Sequence, residues 1–184
     1  MSQLITDGLT AADEKQLTEI LKKWKGGALS DSLFTSLAQM LPMPCVESIV
    51  FRKVKGRIEC LLTPRPENDP IWPGFIHSPG SVLRAIDFRR PDGVAVNGPF
   101  ERVQKNEIMN KFEYPPIFVD IHTHLGARGP EVLLIHFTSI SKHAVLPAGC
   151  LWADVGSLLE RPNFIKHQQP AILMAAKKFN EEIS

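Results

Sequence analysis

Cysteine is scarce in this chain: Cys45, Cys60 and Cys150 stand far apart, with no C-x-x-C spacing. An odd, sparse set argues against a disulfide framework and a cysteine-built zinc site, and leaves each thiol as a small apolar filler. Surplus charge of either sign is also lacking. The formal net charge is +1, so no global field draws the chain to nucleic acid or anionic lipid; only Arg84, Arg89 and Arg90 offer a local basic run. No apolar run approaches the roughly 20 residues needed to cross a bilayer. The first thirteen residues mix acids and polar groups, unlike the basic-then-apolar order of a secretory leader. A cytoplasmic location is expected, with neither nucleic acid nor membrane as partner. Phosphate-binding glycine loops, a nucleophile elbow and internal repeats are missing too.

What is present is an ordinary globular composition, 184 residues of which 43% are hydrophobic and 22% charged, enough to bury a core. Thr10 is placed to cap a helix with Asp13 and Glu14 in its first turn. Leu17, Ile20, Leu21 and Trp24 recur at helical spacing, and Gly26-Gly27 stops the run. Ser30 caps a second helix carrying Leu33, Phe34, Leu37 and Ala38, which Leu41-Pro42-Met43-Pro44 ends. Both helices read as an extension, 1–43, packed on a main domain, 44–184. In that domain Val46 to Val54 and Ile58 to Leu62 read as strands around the turn Lys55-Gly56. Pro64 to Gly80 is too rich in Pro and Gly for a regular element. Phe100 to Phe112 reads as a helix, Ile117 to His124 and Val132 to Thr138 as strands. Pro162 to Asn180 reads as a last helix, with Ile172, Leu173, Ala176 and Phe179 inward. The pattern predicts an α/β fold with a small mixed sheet covered on both faces.

Two stretches carry a family resemblance. Leu61-Leu62-Thr63-Pro64-Arg65 leads through a loop to Trp72-Pro73-Gly74-Phe75-Ile76-His77-Ser78-Pro79-Gly80-Ser81, and Phe100 to Ile108 follows as a helix. Together they resemble the approach and signature box of Nudix hydrolases, whose box runs G-x5-E-x7-R-E-U-x-E-E-x-G-U. Gly80 matches the first glycine and Ser81 replaces a second. Asp87 falls at the first glutamate, followed by a longer spacer containing Arg89-Arg90-Pro91-Asp92-Gly93. Arg102 matches the arginine and Glu107 the second member of the E-E pair. Val103 and Asn106 stand where the other two glutamates belong, and Met109 replaces the late glycine. Trp152 to Leu158 is similar to a late segment of such proteins.

The resemblance implies a Nudix-type α/β/α sandwich and a hydrolase of a nucleoside diphosphate derivative, weakened or altered by the missing carboxylates. It implies Mg²⁺ or Mn²⁺ held by Asp87, Glu107, Asn106 and a backbone carbonyl near Gly80, with Glu107 and Arg102 as catalytic candidates. Arg84, Arg65, His77 and Trp72 are the candidates for binding a nucleotide-like ligand. Each has a plainer reading: Glu107 solvating a helix, the arginines on the surface, His77 and Trp72 packing the loop. The alternative function is a catalytically inactive Nudix-fold protein serving as a ligand-binding or interaction module. In a third reading the N-terminal helices provide a homodimer surface. His122 and His124 alternate on a strand and share a face; with Asp120 or His136 they form either a metal or phosphate site or an exposed pair.

Overall fold

The structure is a computed structural model that describes residues 10–24, 29–84, 87 and 98–182. Helix α1, Ala11–Lys23, starts at the expected cap: Thr10 accepts from the Asp13 N–H while Asp13 reaches back to the Thr10 backbone, the reciprocal capping box. Helix α2, Asp31–Met40, is capped by Ser30. The two differ in how they pack. α2 buries Ala38 against strand β6 (Gly129–Thr138). The approach is so close that a Cβ on Gly129 would lie 2.0 Å from the Ala38 carbonyl oxygen. On α1 the apolar stripe Leu17, Ile20, Leu21 and Trp24 stays 42–52% exposed.

Strands β1 (Met43–Val54) and β2 (Arg57–Pro64) form a hairpin. Its turn has positive φ at both Lys55 and Gly56, the geometry whose twist matches the strands it joins. The Pro- and Gly-rich stretch beyond it is more regular than its composition suggests. Ile76–His77 (β3) pairs with the end of β2, and Gly80–Val82 (β4) pairs with β1. After helix α3 (Gly98–Val103), β5 (Ile117–Gly126) and β6 form a second hairpin. β6 runs parallel to β1 over eight residue pairs. β7 (Leu151–Asp154) adds to β2, and helix α4 spans Gln169–Glu182. The sheet order is β3-β2-β1-β6-β5, with β4 on β1 and β7 on β2.

Alternation along the central strands divides the core in two. Ile49, Phe51, Cys60 and Leu62 face Ile172, Ala175 and Phe179 of α4. Val50 and Leu61 face the opposite way, toward Val103 and Ile108. Helices therefore cover both faces, as an α/β/α sandwich requires. Leu173, expected on the inner side of α4, is 44% exposed; that helix begins seven residues later than Pro162, after two 3-10 turns, Val155–Glu160 and Lys166–Gln168. Cys45 and Cys60 are buried free thiols, and Cys150 is half-buried. Among the described residues no helix is long and apolar enough to cross a membrane.

Candidate functional site

The predicted helix over Phe100 to Phe112 is short and changes pitch. α3 stops at Val103, and Gln104–Ile108 continues as a π-helix. Its wider turn brings residues five apart onto one side, so Val103 and Ile108 are both fully buried in one cluster with Val50 and Leu61. A regular helix would set Val103, Asn106 and Glu107 on one face; the π turn parts them. Val103 belongs to the core, while Asn106 and Glu107 line a pocket on the other side. The π-helix ends at Met109 with φ 53 and ψ 27, left-handed geometry that glycine adopts most easily. The backbone here keeps the shape of a glycine cap without the glycine.

The pocket has a volume of about 390 Å³. It is walled by the β1–β4 edge, the Arg65–Trp72 loop, the Asn106–Glu107 turn and residues near His167. Of the sequence-derived candidates, Arg65, Trp72, His77, Gly80, Arg84, Arg102, Asn106 and Glu107 all line it; Asp87 does not.

Glu107 is its central carboxylate. Oε2 accepts from the Gly80 N–H at 3.3 Å and from the Thr63 hydroxyl at 3.5 Å, and lies 3.9 Å from His77 Nε2. Burial raises its pKa to about 7, although the Gly80 N–H, the Arg65 charge and Thr63 pull the other way. His77 is buried beneath it, and burial, with the charges of Arg65 and Arg128, drives its pKa down to about 3. Its Nε2 also lies 3.4 Å from the Thr63 hydroxyl, which donates to Glu107.

Asp87 and Arg102 form a second unit. Arg102 grips both carboxylate oxygens of Asp87 and also donates to the Ser81 hydroxyl and the Val82 carbonyl. The Arg84 N–H donates to Asp87 at 2.8 Å. Desolvation pushes the Asp87 pKa up, but Arg102, the Arg84 N–H and both guanidinium charges outweigh it and leave it lowered. A carboxylate saturated in this way braces the β4 end of the pocket. Arg89 and Arg90, with the rest of the Phe88–Glu101 spacer up to Asn97, lie outside the described residues.

Asp69 and Glu47 escaped the sequence reading. Asp69 pairs with Arg65 and accepts the N–H groups of Ile71 and Trp72, which shapes the loop that presents Trp72. Its spacing four residues beyond Arg65 was the available signal. Glu47 lies in the middle of an apolar strand, where nothing distinguishes it locally. It is buried, accepts from the Ser78 hydroxyl at 2.7 Å and from Gln168 at 3.4 Å, and packs so closely on Gly80 that a Cβ there would meet its Oε1 at 3.0 Å. Burial raises its pKa to about 8 against the Ser78 hydrogen bond, with Glu107 and Glu131 adding repulsion.

The histidines divide by strand parity. His122 and His124 stack at 6.1 Å, as alternation predicts. His136 points to the other face of β6, where it contacts the rings of Phe100 and Phe118, and Asp120 is exposed, its Oδ1 accepting its neighbour's N–H. Neither joins the pair. The residues that do are Glu131 and His167.

No family model and no curated protein matches the sequence, whereas its backbone has clear counterparts among solved structures. The Nudix domain of Shewanella oneidensis NrtR, complexed with ADP ribose, aligns over 93% of this chain and 99% of its own, with TM-score 0.58 and 17% identity. A MutT protein from Methanosarcina mazei aligns over 78% and 96%, with TM-score 0.54 and 16% identity. S. oneidensis NrtR complexed with a 27mer DNA aligns over 75% of this chain and 62% of that longer one, with TM-score 0.57 and 17% identity. The chain has the Nudix fold.

Proposed function

We propose that this protein is a divergent Nudix-like hydrolase, of weak or altered activity, acting on a nucleoside diphosphate derivative. The observation that carries the reading is the convergence of Glu107 and Asn106 with Arg65 and Arg84 on one pocket, whose wall also carries Arg102, held by Asp87, and Arg128, held by Glu131. Guanidinium groups match phosphate oxygens in charge and in fork geometry, and Trp72 supplies an aromatic wall for a base or sugar. The ADP ribose bound to the NrtR Nudix domain supports the ligand class. The DNA complex belongs to a chain of which this one covers 62%, and a net charge of +1 gives no support to a nucleic-acid partner.

A divalent ion fits the donor set in reduced form. Mg²⁺ commonly takes one or two carboxylates and completes its octahedron with waters and substrate phosphates; Glu107 and Asn106 would hold it here. Asp87, committed to Arg102, and Gly80, whose N–H points at Glu107, serve as supports. Bound there, the ion would neutralise charge on the pyrophosphate oxygens. The chain's own part is to fix the Glu107 carboxylate through Gly80 and Thr63, to orient phosphates with arginines, and to wall off water with Trp72 and the β4 edge.

The test is a panel of nucleoside diphosphate derivatives, ADP-ribose included, incubated with Mg²⁺ or Mn²⁺ and followed by release of phosphate-containing products. Metal-dependent turnover that drops at least about tenfold in Glu107→Gln supports the reading. Binding without turnover in either protein would replace it with a ligand-binding role.

A further inference from the structure

We propose that His124, Glu131 and His167 form a binding site for a transition-metal ion of the Zn²⁺ class, built from ligands other than Glu107, with His167 on the wall of the same pocket. One ligand atom from each residue lies within 4.8 Å of the others. Two imidazoles and a carboxylate suit Zn²⁺, Ni²⁺ or Co²⁺ rather than Mg²⁺, which favours an oxygen shell, and three protein ligands leave a fourth position for water.

The scaffold of the site is rigid where it matters. His124 and Glu131 are direct cross-strand partners in the β5–β6 hairpin, with Nε2 and Oε2 3.1 Å apart. His167 arrives from the 3-10 turn before α4, and its ring stacks on His124 at 4.4 Å. Donors about 2.0–2.1 Å from a tetrahedral zinc lie roughly 3.4 Å from one another; the His124–Glu131 pair, at 3.1 Å, already meets that spacing. Arg128 Nη2 holds the other Glu131 oxygen at 2.8 Å, which leaves Oε2 to face the imidazoles as an outer-sphere partner would.

A second observation points to a missing ligand. Both ring nitrogens of His124 are buried without a hydrogen-bond partner; the Glu131 oxygen is near but out of line with the ring N–H. Buried polar atoms in native proteins are nearly always satisfied, and a metal bond to one nitrogen would satisfy it. Neutral imidazole is the form that ligates. A bound ion would also tie the β5–β6 hairpin to the turn that leads into α4.

The experiment uses the untagged, full-length, metal-stripped protein and titrates it with Zn²⁺ by calorimetry, and with Co²⁺ by visible absorption. The expected result is one ion per chain with a tetrahedral or five-coordinate Co²⁺ spectrum. Affinity should fall about tenfold or more in His124→Gln, His167→Gln and Glu131→Gln, and stay unchanged in Glu107→Gln. Circular dichroism and thermal melting of each apo variant separate lost ligation from lost folding, and wild-type Tm should rise with Zn²⁺ where that of His167→Gln does not. No Zn²⁺ binding by the wild type, or binding that folded His124 and His167 variants retain, overturns the proposal. No substrate is involved, so its failure is distinct from failure of the hydrolase reading.

Discussion

Replacing Glu47 with glutamine should make the protein more stable at pH 8, although it deletes a buried charge-bearing group. Glu47 is 6% exposed, and its pKa stands near 8 in the fold against an ordinary 4.5. The sign follows from proton counting. Between pH 4.5 and 8 the folded chain holds a proton on Glu47 that the unfolded chain has released, so stability falls as pH rises through that window. Each pH step across it is worth 1.36 kcal/mol, which gives a ceiling of about 5 kcal/mol; relaxation and water penetration reduce it, and roughly 1–3 kcal/mol is the expected size. Glutamine keeps an oxygen to accept from the Ser78 hydroxyl and Gln168 and ionises at no pH. Urea unfolding of both proteins from pH 5 to pH 8.5 tests this. The curves should lie within about 1 kcal/mol at pH 5 and diverge above pH 6, with Glu47→Gln the more stable. Parallel curves across the range would refute the burial of a protonated carboxyl as described.

Met109→Gly should stabilise the fold by about 0.5–1 kcal/mol, because it relieves left-handed backbone at an exposed position; thermal melting reads this directly. Arg102→Met should cost about 3 kcal/mol by removing the main partner of the buried Asp87 carboxylate, which keeps only the Arg84 N–H and charge. Wild-type Asp87 has a lowered pKa, so its contribution is present at neutral pH and lost as pH drops through the ordinary carboxylate range near 3.9 and below; the variant should show a smaller acid-side loss in denaturant titrations. Gly129→Ala should cost about 2–4 kcal/mol, since φ is +121 and the Ala38 carbonyl occupies the methyl position. Hydrogen exchange should show α2 released from β6 in that variant before the sheet opens.

Legibility in the sequence followed the range of each interaction. The helix caps at Thr10 and Ser30 and the hairpin turn at Lys55-Gly56 are set by residues within four positions, and they read correctly. The resemblance of the Trp72–Gly80 approach led to the fold that solved Nudix structures share. Strand pairing of Ile76–His77 was hidden, because its partner Thr63-Pro64 and its second neighbour Phe164 are brought in by the tertiary fold. The site was legible in outline and blurred in phase. A regular helix places Val103 beside Glu107; the π turn that parts them follows from packing Val103 and Ile108 under Val50 and Leu61, which no local pattern reports. Glu47 and the pairing of His124 with Glu131 and His167 depend on cross-strand register and on a turn 36 residues beyond Glu131, beyond the reach of spacing rules.

The most direct test of the account is single-turnover cleavage of ADP-ribose by excess enzyme with Mg²⁺, wild type against Glu107→Gln, under conditions where both are shown to bind it. Slow, metal-dependent cleavage at the pyrophosphate is expected of the wild type, and a rate at least about tenfold lower in the variant. Equal rates in the two proteins, or no cleavage of bound ADP-ribose by the wild type, would contradict it.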